Sequence, residues 1–112
     1  MRNYDFKVSV IIPVFNEEGC VAPVAERVVS ILSNYSEYEV LFIDDGSHDS
    51  TLETLKKLHT ENPKINFLSF SRNFGQQNAL RAGTRFATGN CIISLDGDLQ
   101  HPPELIPDLI SK

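Results

Sequence analysis

Four short stretches of the chain are apolar almost without interruption: KVSVIIPV at residues 7–14, YEVLFI at 38–43, INFLSF at 65–70 and CIISL at 91–95. The first is rich in β-branched residues, and such continuous runs are what strands covered on both faces require. Between them the apolar positions change period. Val21, Val24, Ala25, Val28, Ile31 and Leu32 recur at helical spacing, as do Leu52, Leu55 and Leu58, and then Ala79, Leu80, Ala82, Gly83, Phe86 and Ala87. Asp49 or Ser50 can cap the second helix, Asn62-Pro63 ends it, and Gly89-Asn90 stops the third. Pro13 lacks a backbone donor, so strand pairing is expected to stop near it. Strand, helix, strand, helix, strand, helix, strand is the order of an α/β fold with a mainly parallel sheet and right-handed crossovers.

In such a sheet, whatever follows each strand lies at the same edge, which is where open α/β sheets bind ligands. Every unusual polar cluster falls there: Pro13, Phe15, Asn16 and Glu17 after the first strand, Asp44 and Asp45 after the second, Arg72, Asn73 and Gly75 after the third, and Asp96, Asp98 and Gln100 after the fourth. Each cluster alone also reads as an ordinary strand exit or Asp-Gly turn. Their convergence points to a ligand. Asp96 and Asp98 flank Gly97, and two carboxylates so close repel unless a cation sits between them. Their hard oxygens suit Mg²⁺ or Mn²⁺, with the Gln100 amide as a further oxygen ligand. Phe15 offers a flat face for a base, and Asp44 or Asp45 can accept from a base N–H or a ribose hydroxyl. A nucleoside-diphosphate donor suits this layout, because a metal would make the diphosphate a better leaving group.

Composition narrows the alternatives. The 112 residues allow one domain at most, and 41% apolar with 22% charged residues is the balance of a folded chain. A net charge of −5 argues against a nucleic-acid surface. No run approaches the ~20 apolar residues of a membrane span, and the polar opening MRNYDFK does not read as a signal peptide, so a cytoplasmic start is expected. Cys20 and Cys91 lack metal-ligand spacing and are expected as buried free thiols. A dinucleotide-binding dehydrogenase would need three spaced glycines after the first strand, where this chain has PVFNEEG. A non-catalytic metal- or phosphate-binding regulatory domain, with Asp44 or Asp45 accepting phosphate, is the competing reading, and it leaves DGDLQ and Phe15 without a role.

The segments VSVIIPVFNEEG (8–19), LFIDDGSHDST (41–51), SRNFGQQNALRAG (71–83) and LDGDLQHPPELIP (95–107) resemble, in order and spacing, the inverting family 2 glycosyltransferases. The likeness is greatest to the branch that transfers a sugar from a nucleotide to polyprenyl or dolichyl phosphate, and it covers nearly the whole chain. It implies a GT-A (Rossmann-like) three-layer sandwich, here truncated after the fourth strand. Residues 1–112 would then be the nucleotide-sugar-binding N-terminal part of a catalytic domain, inactive alone, with the acceptor-binding part and any transmembrane helices absent. Pro107 opening a helix just before Lys112 fits such a fragment.

Residue by residue, the resemblance implies that Pro13, Phe15 and Glu17 line the nucleotide pocket and that Ile43 and Asp45 meet the base. Asp96, Gly97 and Asp98 match the D-x-D motif, with Asp96 and Gly97 at the nucleotide, Asp96, Asp98 and Gln100 as metal ligands, and Asp98 as the catalytic residue through the metal it holds. Arg72, Asn73 and Gly75 fall in a loop whose conformation matters in such enzymes. A UDP-sugar donor is favoured over a GDP-sugar, a lipid phosphate is the implied acceptor, and the full-length protein is expected at the cytoplasmic face of a membrane.

Overall fold

The computed structural model describes residues 7–16, 18–33, 35, 37–89 and 91–95. Four strands and three helices alternate along them: β1 (Lys7–Val14), α1 (Glu18–Leu32), β2 (Glu37–Asp44), α2 (Thr51–Glu61), β3 (Ile65–Ser69), α3 (Gln76–Phe86) and β4 (Cys91–Ser94). All pairings are parallel and the strand order is β3-β2-β1-β4. The chain therefore steps outward from β1 to β3 and then returns past β1 to place β4 on its other side. Right-handed crossovers in opposite directions put their helices on opposite faces. Val8, Val10, Ile12 and Val14 of β1 accordingly share one core with Val21, Val24, Ala25, Val28 and Leu32 of α1 and Leu55 of α2. Ile11, Leu41 and Ile43 pack with Ala79 of α3 on the other face. The result is the expected three-layer sandwich.

Burial matches the apolar pattern closely in the two central strands. Phe42, Ile11, Ile12 and Ile43 are fully enclosed, and each such side chain contributes about 1.5–3 kcal/mol relative to exposure. α3 approaches the sheet through small residues. A Cβ on Gly83 would lie 2.5 Å from Ile11 Cγ2 and 3.3 Å from Ile43 Cδ1, so glycine there sets the helix-to-sheet distance. Phe86, expected on the same apolar stripe, is instead 60% exposed at the last position of the helix. Ala79 and Gly83, one helical turn apart, are the buried contact row; Phe86 follows on the same face but is the last residue of the helix, where its ring is left uncovered.

Three further expectations are modified. α1 begins at Glu18, ahead of the apolar stripe, because its first residues Glu18 and Gly19 are exposed and leave no hydrophobic signal; Pro23 is accommodated inside it. Cys20 and Cys91 are free but only half-buried. Pro13 does not stop the β1–β2 ladder, which continues through Val14 to Asp44, with the Asp45 amide donating to Val14 O at 2.9 Å. Residues of a parallel strand bond alternately to its two neighbours. Val14 O serves β2 and Ile11 O serves β4, through the Leu95 amide at 2.9 Å, so Pro13 turns its missing donor toward β4. The β1–β4 register ends at Ile11 opposite Ser94. Proline thus ends pairing on one side only.

Candidate functional site

That one-sided end has a structural consequence. Between β1 and β4 the chain's direction of travel across the sheet reverses, making this the topological switch point, and ligands of open α/β sheets bind outside the strand ends there. Pro13 and Phe15 lie on one lip of this crevice. On the other side is β4, followed by buried Leu95. Asp96, Gly97, Asp98 and Gln100, like Glu17, lie outside the described residues. Among the described residues no group of three or more His, Cys, Asp or Glu side chains could hold a metal ion.

The first and second strand exits are knitted together. Asn16 has φ +51°, a left-handed conformation that asparagine tolerates better than most residues. Its amide donates to Ser47 Oγ at 2.8 Å, and its side-chain carbonyl accepts from the His48 amide at 2.8 Å. One turn on, the Ser50 amide donates to Glu18 Oε2 at 3.1 Å, and the Glu18 amide lies 3.4 Å from Asp49 Oδ2. Asp49 also accepts from the Thr51 hydroxyl and, at 2.9 Å, the Thr51 amide. These bonds, the Thr51 hydroxyl foremost, hold Asp49 below its ordinary carboxylate value against the opposing effect of burial. Ser50, the N-cap of α2, makes no side-chain capping bond, so of the two expected caps Asp49 supplies the oxygen. Phe15 is left 38% exposed, with the His48 ring edge-on at 6.4 Å between centroids. A partly exposed aromatic ring at a strand end is a fitting stacking surface for a flat ligand.

The acids ending β2 are differently employed. Asp44 is 1% exposed and Oδ1 accepts from the Ser47 amide at 3.0 Å. Asp45 is 4% exposed, and its two oxygens accept from the Phe74 amide at 2.8 Å and the Gly75 amide at 3.0 Å. Asp45 thus has both oxygens, and Asp44 one, on the chain's own amides. Ile43 is fully enclosed in the α3-side core, while Pro13 is buried in β1. Arg72 places its guanidinium 4.8 Å from the centroid of the Phe74 ring, which meets Phe70 edge-on at 5.5 Å. Of the residues expected at the site, the structure brings Pro13, Phe15, Asp45 and the 71–75 loop to one strand edge. Ser47 and His48 join them without having been singled out, their only sequence signal being their place in the polar run after Asp44-Asp45-Gly46, and with them Asp49, expected only as a helix cap.

Comparison with known proteins agrees with this architecture. The chain is 42% identical over 105 residues to the uncharacterized glycosyltransferase YkcC of Bacillus subtilis, covering 93% of this chain and 32% of that protein. It is 44% identical over 113 residues to the undecaprenyl-phosphate 4-deoxy-4-formamido-L-arabinose transferase of Aeromonas hydrophila, covering 98% and 35%. To the prophage bactoprenol glucosyl transferase homolog of Escherichia coli it is 45% identical over 108 residues, covering 95% and 35%. The chain thus spans about a third of the length of these curated relatives. Among solved structures, the mannosyltransferase PcManGT of Pyrobaculum calidifontis, in complex with GDP-Man and Mn²⁺, superposes with a TM-score of 0.78 at 24% identity, over 88% of this chain and 29% of that one. Glucosyl-3-phosphoglycerate synthase of Mycobacterium tuberculosis, in complex with Mn²⁺, UDP and glucosyl-3-phosphoglycerate, does so at 0.72 and 23%, over 96% and 39%. The fold is therefore GT-A. Residues 9–112 match the family model described as Glycosyl transferase family 2, and the chain belongs to that family.

Proposed function

We propose that this chain is the donor-binding part of a longer enzyme that transfers a sugar from a nucleoside diphosphate to polyprenyl phosphate, with inversion at the anomeric carbon. The observation that carries the donor site is the topological switch point between β1 and β4, with Pro13 and exposed Phe15 at the end of β1. The acceptor class is supported by the relatives named for undecaprenyl phosphate and bactoprenol at 44% and 45% identity. The nucleotide pocket comprises Pro13, Phe15, Glu17, Ile43, Asp45, Asp96 and Gly97. A UDP-sugar is the first choice of donor and a GDP-sugar the second; solved relatives of this fold carry UDP or GDP-Man.

Asp96, Asp98 and Gln100 are an all-oxygen donor set of the kind that suits Mg²⁺ or Mn²⁺. When bound, the ion supplies charge neutralisation at the leaving diphosphate. Asp98 is the residue on which turnover depends most. An oxygen of the acceptor phosphate attacks the anomeric carbon as the bond to the diphosphate oxygen breaks, and the nucleoside diphosphate departs from the opposite face. The acceptor is already an anion, so no side chain needs to remove a proton. Alone, the chain binds donor but does not turn over, because the acceptor side belongs to the remaining two-thirds of the longer protein, working at the cytoplasmic face of a membrane.

Calorimetry with UDP, GDP and UDP-sugars, with and without Mn²⁺, tests the donor site. Metal-dependent nucleotide binding is expected; a folded sample that binds no nucleotide, or binds it equally without metal, refutes the reading.

A further inference from the structure

Among the described residues β3 forms one edge of the sheet, and its sequence makes that edge a hazard. Residues 65–70, INFLSF, run for six positions without a charge, proline or glycine. Such a segment pairs readily with copies of itself when its edge lies open. Residues of a parallel strand bond alternately to either side, so the bonds from Val40 N to Lys64 O and from Phe70 N to Asp44 O turn the even-numbered residues of β3 toward β2. Ile65, Phe67 and Ser69 therefore present their backbone groups outward. Both groups of Ile65 are satisfied by the chain itself: its amide donates to Asn62 O at 2.9 Å, and its carbonyl accepts from His59 Nδ1 at 2.6 Å. Among the described residues, the outward N–H and C=O of Phe67 and Ser69 have no such partner.

His59 reaches this edge from the last turn of α2, and its ring also meets the Phe67 ring edge-on, at 6.1 Å between centroids. A carbonyl can only accept, so Nδ1 carries the proton, and the bond to Ile65 O forms whether the ring is neutral or charged. One exposed side chain thus occupies the first outward acceptor of β3 and stands against the next outward residue. We infer that His59 guards the outer edge of β3, closing its start to strand addition by a second copy of this chain and leaving, at Phe67 and Ser69, too short a ladder for stable pairing. The occupant is a second copy because INFLSF offers no charge that would select an unlike partner, whereas another copy presents the same run with the same open groups, ready to pair antiparallel about a two-fold axis. The guard stands at the start of β3, at the opposite end of the strands from the proposed donor site, and is independent of that reading.

Light scattering from micromolar to millimolar concentration, with amide exchange read at Phe67 and Ser69, tests the guard on the 112-residue chain and its variants. The wild-type chain keeps the mass of one copy, and its two edge amides exchange at a rate independent of concentration. In H59A the mass rises with concentration toward that of two copies or more, and exchange at Phe67 and Ser69 slows about 10-fold or more as it does so, with amides of β1 unchanged. H59Q, whose side-chain amide can donate to Ile65 O, restores the single copy. So does H59A combined with S69P, because proline removes an outward N–H that serves no bond within the sheet. That rescue separates the guard from mere support of the turn between α2 and β3, since a lost support would lower the melting temperature of both variants and change the mass of neither. H59L keeps an apolar side chain beside Phe67 without a donor, and it carries the test if H59A fails to fold. Variants H59A and H59L that remain single at every concentration overturn the inference. Association that S69P does not reverse overturns it too, as does a wild-type chain whose Phe67 and Ser69 amides become protected when it is concentrated.

Discussion

Replacing Glu39 by glutamine will destabilise the fold and flatten its acid dependence, although this residue lies at the sheet edge opposite the proposed site. Glu39 is 8% exposed, inside β2, and a single oxygen, Oε2, accepts from Ser9 Oγ at 2.6 Å, the Thr88 amide at 2.7 Å and Thr88 Oγ1 at 3.0 Å. Ser9 Oγ in turn accepts from the Gly89 amide at 2.8 Å, and Lys7 Nζ reaches Thr88 Oγ1. The network binds the turn between α3 and β4 to the starts of β1 and β2. Glutamine keeps the shape and one acceptor oxygen but loses the charge, so three charge-assisted bonds become neutral ones at a cost of about 1–2 kcal/mol. Alanine leaves the Ser9 hydroxyl and Thr88 amide without their acceptor; because Thr88 is near water, we expect about 2–4 kcal/mol rather than the full penalty of each group. Against a total stability of roughly 5–15 kcal/mol for a domain, either change is readable in urea unfolding at pH 7.

Burial of Glu39 favours the neutral acid, but the bonds from Ser9 and Thr88, helped by the Lys7 charge, outweigh it and hold the folded value below the ordinary 4.5. A depressed folded pKa means that this contribution is fully present above 4.5 and is lost as the pH falls through the folded value. E39Q has no such proton to take up. Its unfolding free energy should therefore converge on that of the wild type as the pH is lowered. A Ser9→Ala change made in both backgrounds should cost less in E39Q, with a coupling of about 1 kcal/mol. E39Q within ~0.5 kcal/mol of wild type at pH 7, with an unchanged acid slope, refutes the network as a stabilising element.

Two further outcomes follow from the same structure. Asp98→Ala should abolish Mn²⁺-dependent UDP binding and leave the circular dichroism spectrum and urea midpoint unchanged; normal metal and UDP binding in this variant would refute Asp98 as a ligand. Gly83→Ala should destabilise by about 1–3 kcal/mol despite a gain in helix propensity of about 1 kcal/mol, because its methyl meets Ile11 Cγ2 at 2.5 Å; a stabilised variant in thermal melts would mean that α3 does not pack through this residue.

The fold was readable because its information is local. Unbroken apolar runs such as KVSVIIPV and the helical spacing of Val21, Val24, Ala25 and Val28 each declare an element within a dozen residues, and alternation then leaves few topologies. Even Pro13 was readable in part: its missing donor ends a ladder, but which of the two ladders depends on which way its backbone faces in the sheet. The Glu39 network also had a sequence signal. A carboxylate in YEVLFI and a hydroxyl in KVSVII are polar groups inside strands that are otherwise apolar on both faces, and such groups need partners. What periodicity could not supply was the partner, Thr88, which lies 49 residues from Glu39.

Asp45 marks where local information ends. An acid following a strand, ahead of Gly46, is equally suited to a ligand's N–H and to the chain's own, since a carboxylate accepts from either. The chain's own donors are a pair of amides 29 and 30 residues later, brought to it by the β2–β3 pairing and by a glycine that allows two backbones to touch. Both orphan donors ahead of α3 and the desolvated carboxylate at the end of β2 would be costly alone, and each removes the other's penalty. That mutual satisfaction argues that the 71–75 loop is part of the folded frame before any ligand arrives. The ordering cost of the loop is then met during folding.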